Sequence, residues 1–351
     1  MWRRLCTSAI ALACVTAPAL PCAAFGAAAH DRAGMQMAST SGVIVWVHRD
    51  DDGADHLVIA RADSSGQKVL TPASADSHDI DAQVSPDGRW IAYEHDAPDG
   101  DTIHLVRPNG ADDHVLDVAC VDPCGGTDAP TWLSNSQLAY LRAIGPLSDQ
   151  GNAASAVLFT TRIDGSHGRR LSEPGIDGAF EDRYARLSAN GSYIVFQRLR
   201  LADFRSALFR MSLHGTQVRQ LTSWDLNADL FDLSTAATGP TKDLIVFQSA
   251  GRGDPSQTWT DLGFVPATCA SVVKCAAHIV WMTENRATGR RTSNPQWSPD
   301  GSSLVFTDRS SIDNPNAEIW TVRFGGAESQ RRLISTSPNF DYRPAWGMSP
   351  C

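Results

Sequence analysis

Three features that mark common classes of protein are absent from this sequence or weak in it. No Gly-x-Ser-x-Gly motif occurs, which excludes the nucleophile elbow of the α/β serine hydrolases and peptidases. The 351 residues include 30 Lys and Arg against 39 Asp and Glu, and the basic residues form no long stripe, which disfavours nucleic-acid binding. After residue 29, no apolar run is long enough to span a membrane.

Residues 1–29 have the order of a secretory signal peptide. Arg3 and Arg4 precede an apolar run from Leu5 to about Leu20, and small residues follow it. A membrane anchor is the alternative, but the uninterrupted apolar run is short for crossing a bilayer. We therefore predict that cleavage leaves an exported chain of residues 30–351, a single domain that is periplasmic or secreted.

Cysteine spacing supports an oxidising compartment. Five of the eight cysteines lie beyond the predicted leader. The spacings Cys120-x3-Cys124 and Cys269-x5-Cys275 predict two short-range disulfides. A four-thiolate zinc site is the alternative, although neither pair has the two-residue spacing of zinc knuckles. Cys351 is left without a predicted partner.

A three-residue pattern, two aliphatic or Ala residues followed by an aromatic one, recurs about every 50 residues. The six copies are Ile44-Val45-Trp46, Ile91-Ala92-Tyr93, Leu138-Ala139-Tyr140, Ile194-Val195-Phe196, Ile245-Val246-Phe247 and Leu304-Val305-Phe306. Turns such as Ser85-Pro86-Asp87-Gly88 precede the pattern; Pro fixes φ there, and Gly accepts a positive φ. A third strand, a glycine turn and a short fourth strand follow, and helical periodicity is nearly absent.

Six units of four antiparallel strands predict an all-β fold, a six-bladed β-propeller. A blade cannot bury both of its faces alone, so the blades must pack on one another in a closed ring. The C-terminal strand Asp341–Trp346 lacks the rest of its unit, so we predict that it pairs with the N-terminal blade of residues 43–72. A two-domain all-β arrangement is the alternative, but it leaves the six copies unexplained.

The sequences Ser85–Tyr93 and Ser298–Phe306 resemble the repeat of the TolB-like β-propellers, which are related to the WD-type propellers. The resemblance extends over nearly all of residues 43–348 and implies the fold, because the same blades serve many functions. TolB itself carries an α/β domain before its propeller, whereas few residues separate the predicted leader from the first strand here. We therefore do not expect a role in a Tol–Pal-type envelope complex.

In a propeller, the loops that join blades and those that join strands two and three share one face, here called the junction face. The Ser-Pro-Asp-Gly turns and the late glycine turns share the opposite face, here called the turn face. We expect the loop-length variation on the junction face, in residues 142–155 and in residues 249–277, which carry Cys269 and Cys275. Long loops on a rigid scaffold are where binding sites usually lie.

The junction face is also acidic, and it supplies the predicted binding residues. The predicted binding residues lie near the start of the first strand of a repeat unit. They are Asp79, Asp128, Asp182, Arg183, Asp229, Asp341 and Arg343. An acidic face attracts cationic partners or divalent cations. In the alternative, structural reading, the aspartates accept backbone N–H bonds at the strand starts and pair with the arginines.

No catalytic residue and no metal ligand is assigned, and no cofactor is expected. Ca²⁺ is the ion that the sequence suggests, in the acidic stretches of residues 50–53 and residues 96–101, where oxygen ligands gather. Neither stretch has the full spacing of a known calcium loop, and solvated charge is the alternative reading.

Two hypotheses of function result. In the first, a monomeric, exported TolB-like propeller is a non-catalytic binding or scaffold module for an envelope or extracellular protein, or for a glycan, through its acidic face. In the second, a polysaccharide lyase or hydrolase uses carboxylates such as Asp182 and Asp341 for acid–base chemistry at the channel mouth. The complete set of repeats and the lack of a catalytic constellation favour the first.

Overall fold

The structure, a computed structural model, describes residues 41–118, 124–147, 153–173, 180–311, 313–314, 316–327, 330–335 and 339–350. The chain divides into the units Met1–Gln36 and Met37–Cys351, and the described residues all belong to the second. Strands make up most of this part, and its helices are too short to cross a membrane.

Hydrogen bonding defines four β-sheets, two of four strands and two of eight. Each eight-stranded sheet consists of two antiparallel halves of four strands. One parallel residue pair joins the halves, Ala156 with Glu181 in one sheet and Thr260 with Arg291 in the other. The described strands therefore form antiparallel groups of four. Within each group, the strands are called first, second, third and fourth in the order in which they pair.

The first strands are β24 (Phe340–Gly347), β4 (His78–Val84), β8 (Cys124–Ser134), β12 (Phe180–Leu187), β16 (Ala228–Leu233) and β20 (Arg291–Trp297). The second strands are β1 (Val43–Arg49), β5 (Ile91–Asp96), β9 (Gln137–Leu147), β13 (Ile194–Arg200), β17 (Leu244–Ala250) and β21 (Ser303–Arg309). The third strands are β2 (Asp55–Arg61), β6 (Thr102–Val106), β10 (Ala153–Arg162), β14 (Arg205–Met211), β18 (Thr260–Pro266) and β22 (Glu318–Arg323). The fourth strands are β3 (Lys68–Val69), β7 (His114–Val115), β11 (Arg169–Arg170), β15 (Arg219–Gln220), β19 (Val280–Trp281) and β23 (Arg332–Leu333).

The first strands are neighbours in space as well as in sequence. They contact one another in the order β4, β8, β12, β16, β20 and β24, and β24 also contacts β4. β24 pairs with β1, so that Trp346 lies opposite Ile44 and Ala345 opposite Val45. The C-terminal strand and the N-terminal strand therefore belong to one sheet.

The aromatic residue of each sequence repeat lies in a second strand and is fully buried. These residues, none more than 2% exposed, are Trp46, Tyr93, Tyr140, Phe196, Phe247 and Phe306. Neighbouring groups pack together around them: Val47 and Leu57 of the first group share a cluster with Ala82 and Tyr93 of the next. The hydrophobic core therefore lies between adjacent sheets. Burial of each of these aromatic side chains stabilises the folded state by about 2 kcal/mol.

The turn between β4 and β5 shows why its sequence was recognisable. Ser85 Oγ donates to Asp87 Oδ1 at 2.7 Å, and the backbone N–H of Gly88 donates to the Ser85 carbonyl. Gly88 has φ = +71°, and a Cβ there would lie 2.4 Å from the Met348 carbonyl oxygen. Glycine is therefore required twice, for its conformation and for the close approach of the C-terminal segment.

Each first strand contains a β-bulge at which a residue other than glycine has a left-handed backbone. These residues, with φ between +35° and +53°, are Asp81, Ala129, Tyr184, Leu230, Asn294 and Arg343. The pairing register with the neighbouring second strand shifts at this point in every case. Because a bulge redirects the side chains beside it, it divides each first strand into a junction-face part and a turn-face part.

The prediction that residues 249–277 form one loop on the junction face is wrong. β18 crosses between the faces within this stretch, and only a 3₁₀ turn at Gly251–Gly253 and its surroundings remain on the junction face. Cys269 and Cys275 follow β18 on the turn face. Gly263 and Pro266 disguised the strand in the sequence, because both residues are unfavourable in strands.

Cys269 and Cys275 form the predicted disulfide, with Cα atoms 5.3 Å apart, beside the short helix α1 (Val272–Ala276). Neither sulfur remains as a thiolate for the alternative zinc site. The other predicted disulfide, Cys120–Cys124, lies outside the described residues, because Cys120 and the side chain of Cys124 are not among them. Two further 3₁₀ turns span Trp224–Leu226 and Asn285–Ala287.

Candidate functional site

A narrow cavity of about 40 Å³ lies between the first strands and is lined by residues from all of them. We call it the central cavity. Its lining includes the bulge residues Asp81, Tyr184, Leu230, Asn294 and Arg343. The left-handed bulges thus bring side chains from separate sheets to one place, at the expense of about 1 kcal/mol or more of backbone strain each.

Three of these bulge side chains meet across the central cavity. Arg343 Nη1 lies 2.9 Å from Asp81 Oδ1, and the Tyr184 hydroxyl donates to Asp81 Oδ2 at 3.2 Å. The nearby carboxylates, Asp81 first among them, raise the pKa of Arg343 above its ordinary value. Asp81 therefore connects β4 to both β12 and β24.

Asp81, which lines the central cavity, also belongs to a cluster of three acidic side chains with Glu94 and Asp128. One oxygen of each lies within 4.8 Å of the others, a spacing that a single bound cation can span. Burial, together with the neighbouring carboxylates, raises the pKa of Glu94 to about 10. Burial also raises the pKa of Asp128 to about 6.

Glu94 also has a structural role, and the hydrogen bond that it accepts opposes the effect of burial on its pKa. Its Oε2 accepts a hydrogen bond of 3.1 Å from the backbone N–H of the bulge residue Ala129. Gln197 and Gln248 make the same contact to the bulge residues Leu230 and Asn294, at 3.0 and 2.8 Å. A neutral carboxyl at position 94 is chemically closer to these glutamine amides than a carboxylate is.

Three of the predicted binding aspartates are buried, and each pairs with a His or Arg side chain of the neighbouring second strand. Asp79 lies 2.7 Å from His95 Nδ1, and Asp341 lies 2.6 Å from His48 Nδ1. Asp182 accepts two hydrogen bonds from the guanidinium of Arg198, at 2.6 and 2.8 Å. None of the three aspartates is more than 6% exposed. These carboxylates hold first strands to second strands, as in the structural reading of the sequence.

Asp128 and Asp229 are not equivalent to the other three, although the sequence analysis grouped them. Each stands directly before its bulge residue, whereas Asp79 stands two positions before Asp81. Burial raises the pKa of Asp229 to about 7, against the opposing effect of the Gln248 side chain, and its buried Oδ1 has no hydrogen-bond partner among the described residues. Asp128 accepts no side-chain hydrogen bond from the described residues, and it lies half-buried within 4.8 Å of Asp81.

Both predicted binding arginines are in ion pairs. Arg183 Nη2 lies 2.7 Å from Glu181, and the charge of Asp128 also acts on it; Arg343 pairs with Asp81. The structure thus brings Asp128 near both Arg183 and Arg343, and Arg343 lines the central cavity. It places Asp79, Asp182, Asp229 and Asp341 in separate contacts.

The acidic character of the junction face is concentrated beside Asp128. Asp96 and Asp101 share a hydrogen bond, and burial together with this bond raises the pKa of Asp101 to about 6. The carbonyl oxygen of Asp101 accepts from the N–H of Thr127, next to Asp128, at 2.9 Å. Asp99 lies exposed in the same loop. We call Asp96, Asp99, Asp101 and Asp128 the acidic sector.

The other stretch considered for Ca²⁺ is used for its own turn. Asp50 Oδ1 accepts from the N–H groups of Asp52 and Ala54, at 3.1 and 3.0 Å. This pattern closes a loop between strands two and three, as an Asp side chain commonly does.

Sequence reasoning missed Asp81, Glu94 and Tyr184. A signal for Glu94 was present, because it directly follows a repeat aromatic, in the position of Gln197 and Gln248. No comparable signal marks Asp81 or Tyr184, whose directions depend on the bulge.

Comparisons with solved structures agree with this architecture. TolB from Acinetobacter baumannii superposes with a TM-score of 0.63 at 17% identity, over 88% of this chain and 67% of that one. A putative TolB from Agrobacterium tumefaciens gives 0.56 at 14%, over 88% and 99%. A chain of the nidogen/laminin complex gives 0.58 at 9%, over 88% and 100%. No protein-family model matches the sequence, and no curated protein is similar to it. The predicted all-β architecture is confirmed, and the chain has the fold of a TolB-like β-propeller.

Proposed function

We propose that this chain is an exported, monomeric binding module built as a closed ring of six blades. The signal-like order of residues 1–29 supports export to the periplasm or beyond the cell. The pairing of β24 with β1 and the contact of β24 with β4 support closure, since they join the two ends of the repeat series. A ring without free edge blades suits a rigid scaffold.

The docking surface is the acidic sector, and its ligand is a cationic segment of an envelope or extracellular protein. The observation that carries this proposal is the gathering of Asp96, Asp99, Asp101 and Asp128 without a salt bridge to arginine among the described residues, while Asp79, Asp182 and Asp341 are in buried pairs. A Lys or Arg side chain that reaches Asp128 would come close to Asp81 of the central cavity and gain charge-assisted hydrogen bonds. That a chain of similar fold belongs to the nidogen/laminin complex supports a protein ligand by analogy of fold.

The geometry favours binding over cleavage of a polysaccharide. Asp79, Asp182 and Asp341 are engaged in buried pairs. The central cavity of about 40 Å³ admits only one or a few waters, too little for a sugar ring between the carboxylates.

The test is affinity capture from an envelope extract of the source cells by immobilised residues 30–351. The acidic-sector variant carries Asp96→Asn, Asp99→Asn and Asp128→Asn, and the matched control carries Asp63→Asn and Asp164→Asn on the turn face. We expect a partner that salt releases, that the control retains, and whose affinity for the acidic-sector variant falls about tenfold or more. Equal capture by the acidic-sector variant and the native chain would refute this surface.

Ca²⁺ is the second cation proposed for the acidic sector. It would bind through carboxylate oxygens of Asp96, Asp99 or Asp101. Calcium should then raise the unfolding temperature of the native chain but not that of the acidic-sector variant. An equal shift in both proteins would assign the effect to another place.

A further inference from the structure

The cavity between the first strands has a second, wider part at the turn face. This turn-face cavity has a volume of about 400 Å³, against about 40 Å³ for the central cavity. Its walls come from the last residues of all the first strands, and Gln83, Arg186 and Gln296 line both parts. Ligand sites in proteins commonly have volumes from about 300 Å³ upward, so the wider part is large enough for a small molecule.

Unpaired amides are the main polar groups of this cavity. The side chains of Gln83 and Gln296 are half-buried and make no hydrogen bond to any described residue. Asn294, which lines the adjoining central cavity, also has a side-chain amide without such a bond. Each amide offers donors and an acceptor without charge, and buried polar groups normally have partners. These amides are therefore suited to a ligand that both donates and accepts hydrogen bonds.

The charged groups of the turn-face cavity cancel one another. Arg186 Nε donates to Asp232 Oδ1 at 2.8 Å, and Asp232 Oδ2 accepts from the backbone N–H of Trp297 at 2.8 Å. The turns between first and second strands also line this cavity. They contribute Ser85, Pro86, Thr235, Ser298 and Pro299. A charged ligand would meet no uncompensated opposite charge here, which disfavours it.

Aromatic walls complete the cavity. Trp132, Trp297 and Trp346 line it, and Trp132 is the most exposed of them. The indole Nε1 of Trp132 donates to the Gln83 carbonyl at 2.9 Å, which fixes the ring beside the Gln83 side chain. A fixed aromatic ring offers a flat apolar surface to the C–H groups of a ligand.

We propose that the turn-face cavity binds one or two residues of a neutral saccharide. Sugar hydroxyls both donate and accept, so they match free amides, and the apolar face of a sugar ring packs on an indole. The size, the lack of net charge and the amides favour a neutral saccharide over a peptide, whose apolar side chains would leave the amides without partners. This site lies on the face opposite the acidic sector, so the proposal stands or falls independently of the proposed function.

Isothermal titration calorimetry of residues 30–351 tests it, with glucose, galactose, N-acetylglucosamine, cellobiose, lactose and chitobiose as probes. We expect saturable binding of at least one sugar by the native chain. The double variant Gln83→Leu and Gln296→Leu should weaken it about tenfold or more, because two hydrogen-bonding groups are lost. Asp128→Asn, at the other face, should leave it unchanged.

A thermal unfolding curve establishes that the double variant is folded, and Gln296→Asn, which only shortens the amide, provides a milder second variant. No saturable binding of any probe at millimolar concentration would overturn the proposal. So would equal affinity in the folded double variant. Competition by an uncharged peptide, but by none of the sugars, would assign the cavity to a protein ligand and overturn it as well.

Discussion

The two ends of the cavity between the first strands are built by the same six strands, yet they differ in charge and in partnering. At the junction face, charged side chains pair across strands or crowd together, as in Asp182 with Arg198 and in the cluster of Asp81, Glu94 and Asp128. At the turn face, Gln83 and Gln296 have no partner among the described residues, and the cavity is wider. The bulge separates the two ends, because it changes which side chains turn inward.

This difference suggests that the two ends contribute differently to stability. Buried charge pairs stabilise a fold only while both partners are present, and the loss of one leaves an uncompensated charge. Free amides facing a cavity contribute little to the folded state. Substitutions in the buried charge pairs at the junction end should therefore change stability, whereas those of the free amides at the turn end should change saccharide binding.

The largest expected effect is that of Asp182→Ala. The substitution leaves Arg198 without its two hydrogen bonds, next to the rings of Phe180 and Phe209. We expect a loss of about 3–5 kcal/mol and a fall in Tm of roughly 10 °C. Asp203→Ala, which removes an exposed pair with Arg200, is the matched control and should change stability by less than about 1 kcal/mol. Equal effects of the two variants in thermal unfolding would mean that the buried pair stabilises the fold no more than the exposed pair does.

Glu94→Gln should stabilise the protein at neutral pH by about 1–3 kcal/mol. The pKa of Glu94 is raised from 4.5 to about 10 in the folded chain, so the folded state binds a proton that the unfolded state releases. Its contribution to stability therefore decreases as the pH rises from about 4.5 towards 10. Glutamine keeps the hydrogen bond to Ala129 and abolishes this dependence. Denaturant unfolding between pH 5 and 8 measures it, and parallel pH curves for both proteins would contradict the assignment.

His48→Gln tests the contact between the two terminal strands. The hydrogen bond to Asp341 raises the pKa of His48 above its ordinary 6.5, against the effect of burial, and Asp50 and Asp51 act in the same direction. The stabilising contribution is therefore complete below pH 6.5 and is lost as the pH rises through the folded pKa. We expect a loss of about 1 kcal/mol or less near pH 5.5, which disappears at alkaline pH. His56, whose pKa is lowered by burial, opposes this trend and is left unchanged in the experiment.

The smallest expected effect on stability is that of Gln296→Leu at the turn face. Its amide makes no hydrogen bond to the described residues, so its loss should change the free energy of unfolding by less than about 0.5 kcal/mol. Denaturant unfolding measures this. A loss above about 2 kcal/mol would mean that the amide supports the fold and that the two ends do not differ as described.

Much of the fold could be predicted because it repeats. The aromatics from Trp46 to Phe306 marked second strands, since each must be buried between neighbouring sheets. The Ser-Pro-Asp-Gly turns were recognisable because positive φ and a serine–aspartate hydrogen bond have a local sequence signature. β18 was missed, since Gly263 and Pro266 break that local signature although the strand is fully paired with β17.

The candidate site was predicted less well. The aspartates were aligned by counting from the strand ends, which put Asp128 in register with Asp79. Relative to the bulge residue of its own strand, however, Asp128 stands one position before and Asp79 two positions before, and Asp128 lies beside Asp81 and Glu94. Asp81 and Tyr184 were overlooked because a left-handed conformation at a residue other than glycine has no reliable sequence signal.

The sequence by itself determined the class of fold, the repeat unit and the Cys269–Cys275 disulfide, because periodic burial, turn chemistry and short spacing are local properties. Only the tertiary structure decided which charges are paired and which remain free. Asp182 forms a salt bridge with Arg198 of the neighbouring strand, and Asp81 forms one with Arg343, which is distant in the sequence. Asp128 forms no salt bridge with either arginine. Such partnerships depend on the direction in which bulged strands point their side chains, and that direction is set by the packing of one sheet against the next.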